Sequence, residues 1–189
     1  MLVFVTGGVR SGKSSWAEAY CLKKSERSKP IHYIATSIVY DDEMKERIFD
    51  HQKRRDESTV NWITWEKPRQ IGSLQEKLKG NEIVLLDCLT NLVNNELFLH
   101  VEHGDERWKS LTYQKQVFQT ITRDIFRIQR KTSLFVIVSN EVVYEPFNTD
   151  VVMPYMRLLG NIHQWIVQQS SVALRMEWGI PLFMKGERK

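Results

Sequence analysis

The stretch that most constrains this chain is Gly7-Gly8-Val9-Arg10-Ser11-Gly12-Lys13-Ser14, which satisfies the phosphate-loop pattern G-x-x-x-x-G-K-[ST] in full. The apolar run Leu2-Val3-Phe4-Val5 precedes it, and from Ser14 to Lys24 a helical pattern follows in which Ala17, Tyr20 and Cys21 recur on one side. A strand before and a helix after is the context that gives the pattern its meaning. Glycines let the backbone curl around an anion with its N–H groups turned inward, while the helix adds unpaired amides and the positive end of its dipole. In such a loop Lys13 reaches the β- and γ-phosphates and the Ser14 hydroxyl ligates Mg²⁺. The pattern therefore predicts a nucleotide-binding chain.

Further along, short apolar runs alternate with helical patterns. Strands are expected near residues 3, 32, 84, 136 and 174, with helices over 14–24, from 41 onward, over 71–78, 89–99, 108–130 and 152–168. Trp62–Glu66 reads as a short strand or extended edge closed by Pro68. This alternation is the signature of an α/β protein with a parallel sheet, and 189 residues suffice for one domain. In open sheets of this kind ligands sit outside the carboxyl ends of the strands. Ala35, Thr36 and Ser37 fall at such an end, Asp87 closes the run Glu82-Ile83-Val84-Leu85-Leu86, and Asn140 follows Ser139. The sheet should thus present Lys13, Thr36, Asp87 and Asn140 along one edge, with Asp87 as a second oxygen ligand for Mg²⁺ beside Ser14. A capping role is an equal alternative for Asn140.

His51 stands four residues from Arg47 and four from Arg55. On a helix the three share a stripe, where the guanidinium groups favour neutral imidazole and can grip a polyphosphate. Neutral imidazole held against phosphate is a nucleophile; the alternative is a polar residue on the exposed side of a charged helix. Cys88 reads as a small buried hydrophobe. His100 and His103 read as exposed, because no third ligand is placed to make a metal site with them.

Net charge of +4 suits anionic ligands but is too small to demand nucleic acid, and no apolar run is long enough for a membrane span. Cys21 and Cys88, the two cysteines, match no metal spacing and read as reduced thiols of a cytoplasmic protein. Residue patterns alone leave open a small-molecule kinase and a non-catalytic nucleotide-binding module.

More of the chain bears on the choice. The phosphate loop, Tyr33-Ile34-Ala35-Thr36, Asp42-Glu43-Met44 with Arg47-Ile48-x-x-His51 and Arg55, Thr64-x-Glu66, Leu86-Asp87-Cys88-Leu89-Thr90 and Ser139-Asn140-Glu141-Val142 resemble the bifunctional adenosylcobinamide kinase/adenosylcobinamide-phosphate guanylyltransferase family. The resemblance implies a RecA-like P-loop fold and assembly into homo-oligomers, specifically trimers. It implies transfer of the γ-phosphate of ATP or GTP to a hydroxyl of adenosylcobinamide, followed by transfer of GMP from GTP through a guanylyl-histidine to give adenosylcobinamide-GDP. By position it makes His51 the nucleophile and Gly7 to Ser14 the phosphate cradle. Thr36, Gln52, Lys53, Arg54, Arg55, Glu66 and Asp87 become nucleotide contacts, while Arg47 and Arg55 offset charge on the departing pyrophosphate. The segment after Val142 departs from the family pattern, with Tyr144-Glu145-Pro146-Phe147 where glycines are usual.

Overall fold

The computed structural model describes residues 1–26, 29–38, 45, 49, 52, 53, 55, 57, 58, 60–141 and 150–186. Its centre is a seven-stranded sheet ordered β3-β2-β4-β5-β1-β6-β7, from β1 (Leu2–Gly7), β2 (Ile31–Ala35), β3 (Trp62–Glu66), β4 (Glu82–Asp87), β5 (Thr132–Asn140), β6 (Val172–Glu177) and β7 (Ile180–Lys185). The first six are mutually parallel and β7 runs antiparallel to β6. Strands β1, β4 and β5 carry apolar residues on both faces because both are covered by helices, which is why they read as continuous apolar runs.

Helix α1 (Lys13–Lys24) lays Ala17 and Cys21 on one face of the sheet, against Val3, Val5, Leu85 and Val136. Helices α2 (Leu89–Leu97), α3 (Leu111–Gln129) and α4 (Val152–Gln169) cover the other face. The predicted stripe Val117, Ile121, Ile125 and Ile128 on α3 is buried there, as are Leu158, Leu159, Ile162 and Ile166 on α4.

Three elements differ from the periodicity. Ile71–Glu76 is a 3₁₀ helix, held to α3 by the Gly72 N–H, which donates to Asp124 at 3.1 Å where a Cβ would collide with that carboxylate. The long helix starts at Leu111, since Ser110 is extended, and Trp108 is buried in a separate 3₁₀ turn at Arg107–Lys109. Strand β7 is additional to the expected strands, and it holds Pro181 because a sheet admits proline at an edge, which β7 is. Of the expected helix from residue 41, Lys45, Phe49, Gln52, Lys53 and Arg55 are described and helical, and the others of 41–54 lie outside the described residues.

Candidate functional site

The parallel strands end at one edge, and the pairing register fixes what stands there. Gly7 is level with Asn140, and Asp87 with Val138 and Ala35. One strand, β5, separates the phosphate loop from Asp87, so the two are roughly 10 Å apart across the sheet. Lys13, Thr36, Asp87 and Asn140 accordingly share the edge.

The loop is built by close approach. A Cβ on Gly7 would meet the Met176 carbonyl at 2.6 Å and Ser11 Oγ at 2.7 Å, and Gly12 has the left-handed φ of 89° from which α1 starts. Arg10 is also left-handed, at φ 59°. Ser11 N–H bonds to the Gly8 carbonyl at 3.2 Å, and Lys13, almost wholly buried, donates Nζ to the same carbonyl at 2.9 Å. Two outside contacts hold the loop in place: Glu141 N–H donates to Gly7 C=O at 3.1 Å and Gly179 N–H to Ser11 C=O at 3.0 Å. Among the described residues, the buried Ser11 hydroxyl finds no hydrogen-bond partner. A cradle lined by backbone with an unsatisfied hydroxyl fits a phosphate oxygen. The hard oxygens of Ser14 and Asp87 are the donor chemistry that Mg²⁺ takes.

Beside Asp87 lies a connected polar cluster. Thr36, fully buried, uses its one hydroxyl twice: it donates to Cys88 C=O at 2.7 Å and accepts from Cys88 N–H at 2.9 Å. The Asp87–Cys88 peptide so held is cis. Cys88 Sγ lies 2.9 Å from Thr90 Oγ1, to which Asn140 donates Nδ2 at 3.1 Å. Asn140 therefore binds across to the α2 start. Burial, followed by the charge of Asp87, pushes the Cys88 thiol up to about 11, so it stays protonated and is no nucleophile at neutral pH. On the rim, Asn91 donates to Ser37 Oγ at 2.8 Å, while Asn95 holds the carbonyls of Thr36 and Pro68 at 2.8 and 3.0 Å. Glu66 is exposed at the end of β3, next to Ala35.

Two of the expected nucleotide contacts also have partners within the chain. Thr36 offers its side chain to Cys88. Arg55 is 5% exposed, its guanidinium 3.4 Å from Glu18 of α1 and centred 3.8 Å above the Tyr33 ring. Glu18 lies five residues into α1, about 7 Å along the axis from Lys13. Arg55 therefore ties its segment to α1 and β2, because a buried guanidinium needs a carboxylate and the Tyr33 face supplies the remaining contact. Burial raises the Tyr33 phenol well above its ordinary value, and Asp87 adds to this through its charge and a hydrogen bond. Gln52 is half-buried and Lys53 exposed. His51, Arg47 and Arg54 lie outside the described residues, as does the altered segment after Val142.

Sequence reading missed the lean of the β6–β7 turn on the phosphate loop, the bridging role of Thr90, and the Glu18–Arg55–Tyr33 stack. Only the last carried a signal, an acidic residue on a helix otherwise read for its apolar side. His100 and His103 are exposed as expected, and the described residues contain no cluster able to hold a metal through histidine, cysteine or carboxylate groups alone. No helix among them is long and apolar enough to cross a membrane.

Comparison with known proteins adds chemistry to this geometry. A model of the cobinamide kinase/cobinamide phosphate guanyltransferase family matches residues 3–184. The bifunctional adenosylcobalamin biosynthesis protein CobU of Escherichia coli (strain K12) is 38% identical over 144 residues, 75% of this chain and 76% of the relative. The corresponding CobP of Pseudomonas aeruginosa is 28% identical over 185 residues, covering 97% of this chain and 96% of the relative. Among solved structures, an ATPase of the type III secretion system of pathogenic bacteria superposes with a TM-score of 0.54 at 9% identity, over 96% of this chain and 56% of that one. That likeness bears on the fold alone, a P-loop, RecA-like sheet.

Proposed function

Because the chain belongs to the cobinamide kinase/cobinamide phosphate guanyltransferase family, we propose that it phosphorylates adenosylcobinamide and then guanylylates the product, using His51 as a covalent carrier of GMP. The observation that carries this reading is a fully formed phosphate loop in a chain whose match to the family runs from residue 3 to 184.

In the first reaction the substrate hydroxyl oxygen attacks the γ-phosphorus of ATP or GTP, the β–γ bridging P–O bond breaks, and the hydroxyl proton is released. Loose phosphoryl transfer asks for positioning and charge neutralisation more than for covalent help. The loop amides and Lys13 hold the phosphates, and Ser14 and Asp87 would hold Mg²⁺. Bound there, the metal supplies electrostatic stabilisation of the phosphate oxygens. Asn140 and Thr90, next to Asp87, face the same edge and would orient the incoming hydroxyl.

In the second reaction a ring nitrogen of His51 attacks the α-phosphorus of GTP and pyrophosphate leaves with the electrons of the α–β bridge. A phosphate oxygen of the corrinoid then displaces imidazole. Imidazole serves both as nucleophile and as leaving group, which a carrier requires. Arg47, Gln52, Lys53 and Arg54 are the side chains proposed to bind the GTP phosphates, with Glu66, Ala35 and Ser37 on the nucleoside side. Assembly into a homo-oligomer belongs to the same proposal; the outward face of β7, where Ile180 and Met184 are exposed, supports it.

Incubation with GTP labelled at the α-phosphate tests the second step. The expected product is a protein-bound label, labile to acid and stable to alkali, that is absent from His51→Ala. An enzyme that phosphorylates adenosylcobinamide but never takes up the label is a kinase alone, and the carrier role fails.

A further inference from the structure

Strands β6 and β7 are joined by the two residues Trp178 and Gly179, between the paired Glu177 and Ile180. Both turn residues have positive φ, 47° at Trp178 and 82° at Gly179, as a type I′ hairpin turn demands. Glycine suits the second position. The first is ordinarily Asn, Asp or Gly, and a large side chain in the left-handed region is disfavoured by its own Cβ. Packing offers no compensation, because Trp178 is 93% exposed. The other five tryptophans are buried or half-buried. Neither the backbone nor the core accounts for an indole here.

Its location does. Gly179 N–H is bonded to the carbonyl of Ser11, inside the phosphate loop, and Gly179 Cα lies 3.5 Å from where a Cβ on Gly12 would be. Met176, just before the turn, closes under Gly7. The turn therefore rests on the phosphate loop, and the indole is mounted on the residue next to that contact. A nucleotide whose phosphates fill the loop is tethered to a flat base that must lie outside it. Aromatic side chains bind bases through the π-face with little regard to sequence.

We propose that Trp178 is the stacking platform for the purine base of the nucleotide held by Gly7 to Ser14. The proposal rests on the reading of that loop as a nucleoside triphosphate site. It concerns the nucleotide of the first reaction and adds a binding residue on the opposite side of the loop from Ala35, Ser37 and Glu66, which serve the GTP of the second. The cost of the left-handed tryptophan is then a concession in stability to binding, a pattern usual at functional sites.

Calorimetric titration of the full chain, Trp178→Asn and Trp178→Phe with GTP and, separately, with inorganic tripolyphosphate tests this. Tripolyphosphate reads the loop without a base. Trp178→Asn should bind GTP about 5- to 10-fold more weakly and tripolyphosphate as before, while Trp178→Phe stays within about twofold for both. Trp178→Asn should also melt about 2–4 °C higher, because asparagine tolerates the left-handed turn. Unchanged GTP affinity in Trp178→Asn overturns the proposal, as does a parallel loss of GTP and tripolyphosphate binding. A variant that keeps GTP affinity but sediments as a smaller species also overturns it, by making Trp178 an intersubunit contact. If the unsubstituted chain binds neither GTP nor tripolyphosphate, the nucleotide reading of the loop itself fails.

Discussion

Replacing Thr36 by valine isolates one hydroxyl on which the edge of the site depends. Valine keeps the shape, so no cavity opens, and the Thr36 N–H bond to Asp87 C=O at 3.2 Å is untouched. What is lost is the single oxygen that donates to Cys88 C=O and accepts from Cys88 N–H. The carbonyl keeps a second partner, the Leu92 N–H at 3.2 Å from the first turn of α2. The N–H has no other partner among the described residues and is buried with Cys88. Orphaning one buried donor costs about 1–3 kcal/mol, and the lost bond to the carbonyl about 1 kcal/mol more. The sum is about 3 kcal/mol, or roughly 6–12 °C in melting temperature for a chain of this size. Thr36→Ser, which keeps the oxygen and gives up one methyl worth about 0.8 kcal/mol, should recover most of it. Thermal melts at neutral pH read the stability, and GTP-dependent phosphorylation of adenosylcobinamide reads the placement of Asp87. A Thr36→Val protein that melts within about 1 °C of the unsubstituted one would refute the clamp.

Arg55→Met should destabilise the chain by about 3 kcal/mol, the lower end for a broken buried ion pair, because Glu18 retains another interaction. Arg55→Met combined with Glu18→Leu should regain part of that stability in urea melts, short of the whole because Glu18 has a further interaction; a double variant no better than the single one would show that the pair is not the anchor. His163, whose Nε2 lies 2.8 Å from Ser139 Oγ, is lowered by burial from 6.5 to about 4. The unfolded chain therefore takes up that proton first, so stability is full above about pH 6.5 and declines as pH falls toward 4, by about 3 kcal/mol in all. His163→Gln should flatten the decline when urea midpoints are compared at pH 7 and 4.5, leaving a residual slope from His32, which burial lowers in the same sense. An unchanged slope would contradict the assignment.

Local pattern was sufficient wherever a residue's role is decided by its neighbours along the chain. The loop Gly7 to Ser14, the runs ending at Ala35, Asp87 and Asn140, and the stripe Val117 to Ile128 are all of this kind, because phosphate cradles and amphipathic faces repeat within a few residues. The parallel α/β architecture followed from their alternation. Strand β7 escaped because Trp178 occupies the position where Asn or Gly would have announced a turn, and because Pro181 is compatible with a strand only at an edge, which is a property of the assembled sheet.

What the sequence by itself determined is the chemistry available: an anion cradle, a carboxylate at the end of a strand, and a histidine set between arginines. Tertiary structure decided which partners within the chain the neighbouring polar side chains take. Thr36 and Arg55 read as nucleotide ligands in the sequence, and the fold adds a partner to each: Cys88 lies 52 positions from the first and Glu18 37 from the second. Hydrogen bonding and ion pairing act over a few ångströms whatever the separation along the chain, so only the fold could reveal those partners. The same holds for Trp178, which the closing of the sheet brings to the edge of a loop formed some 170 residues earlier.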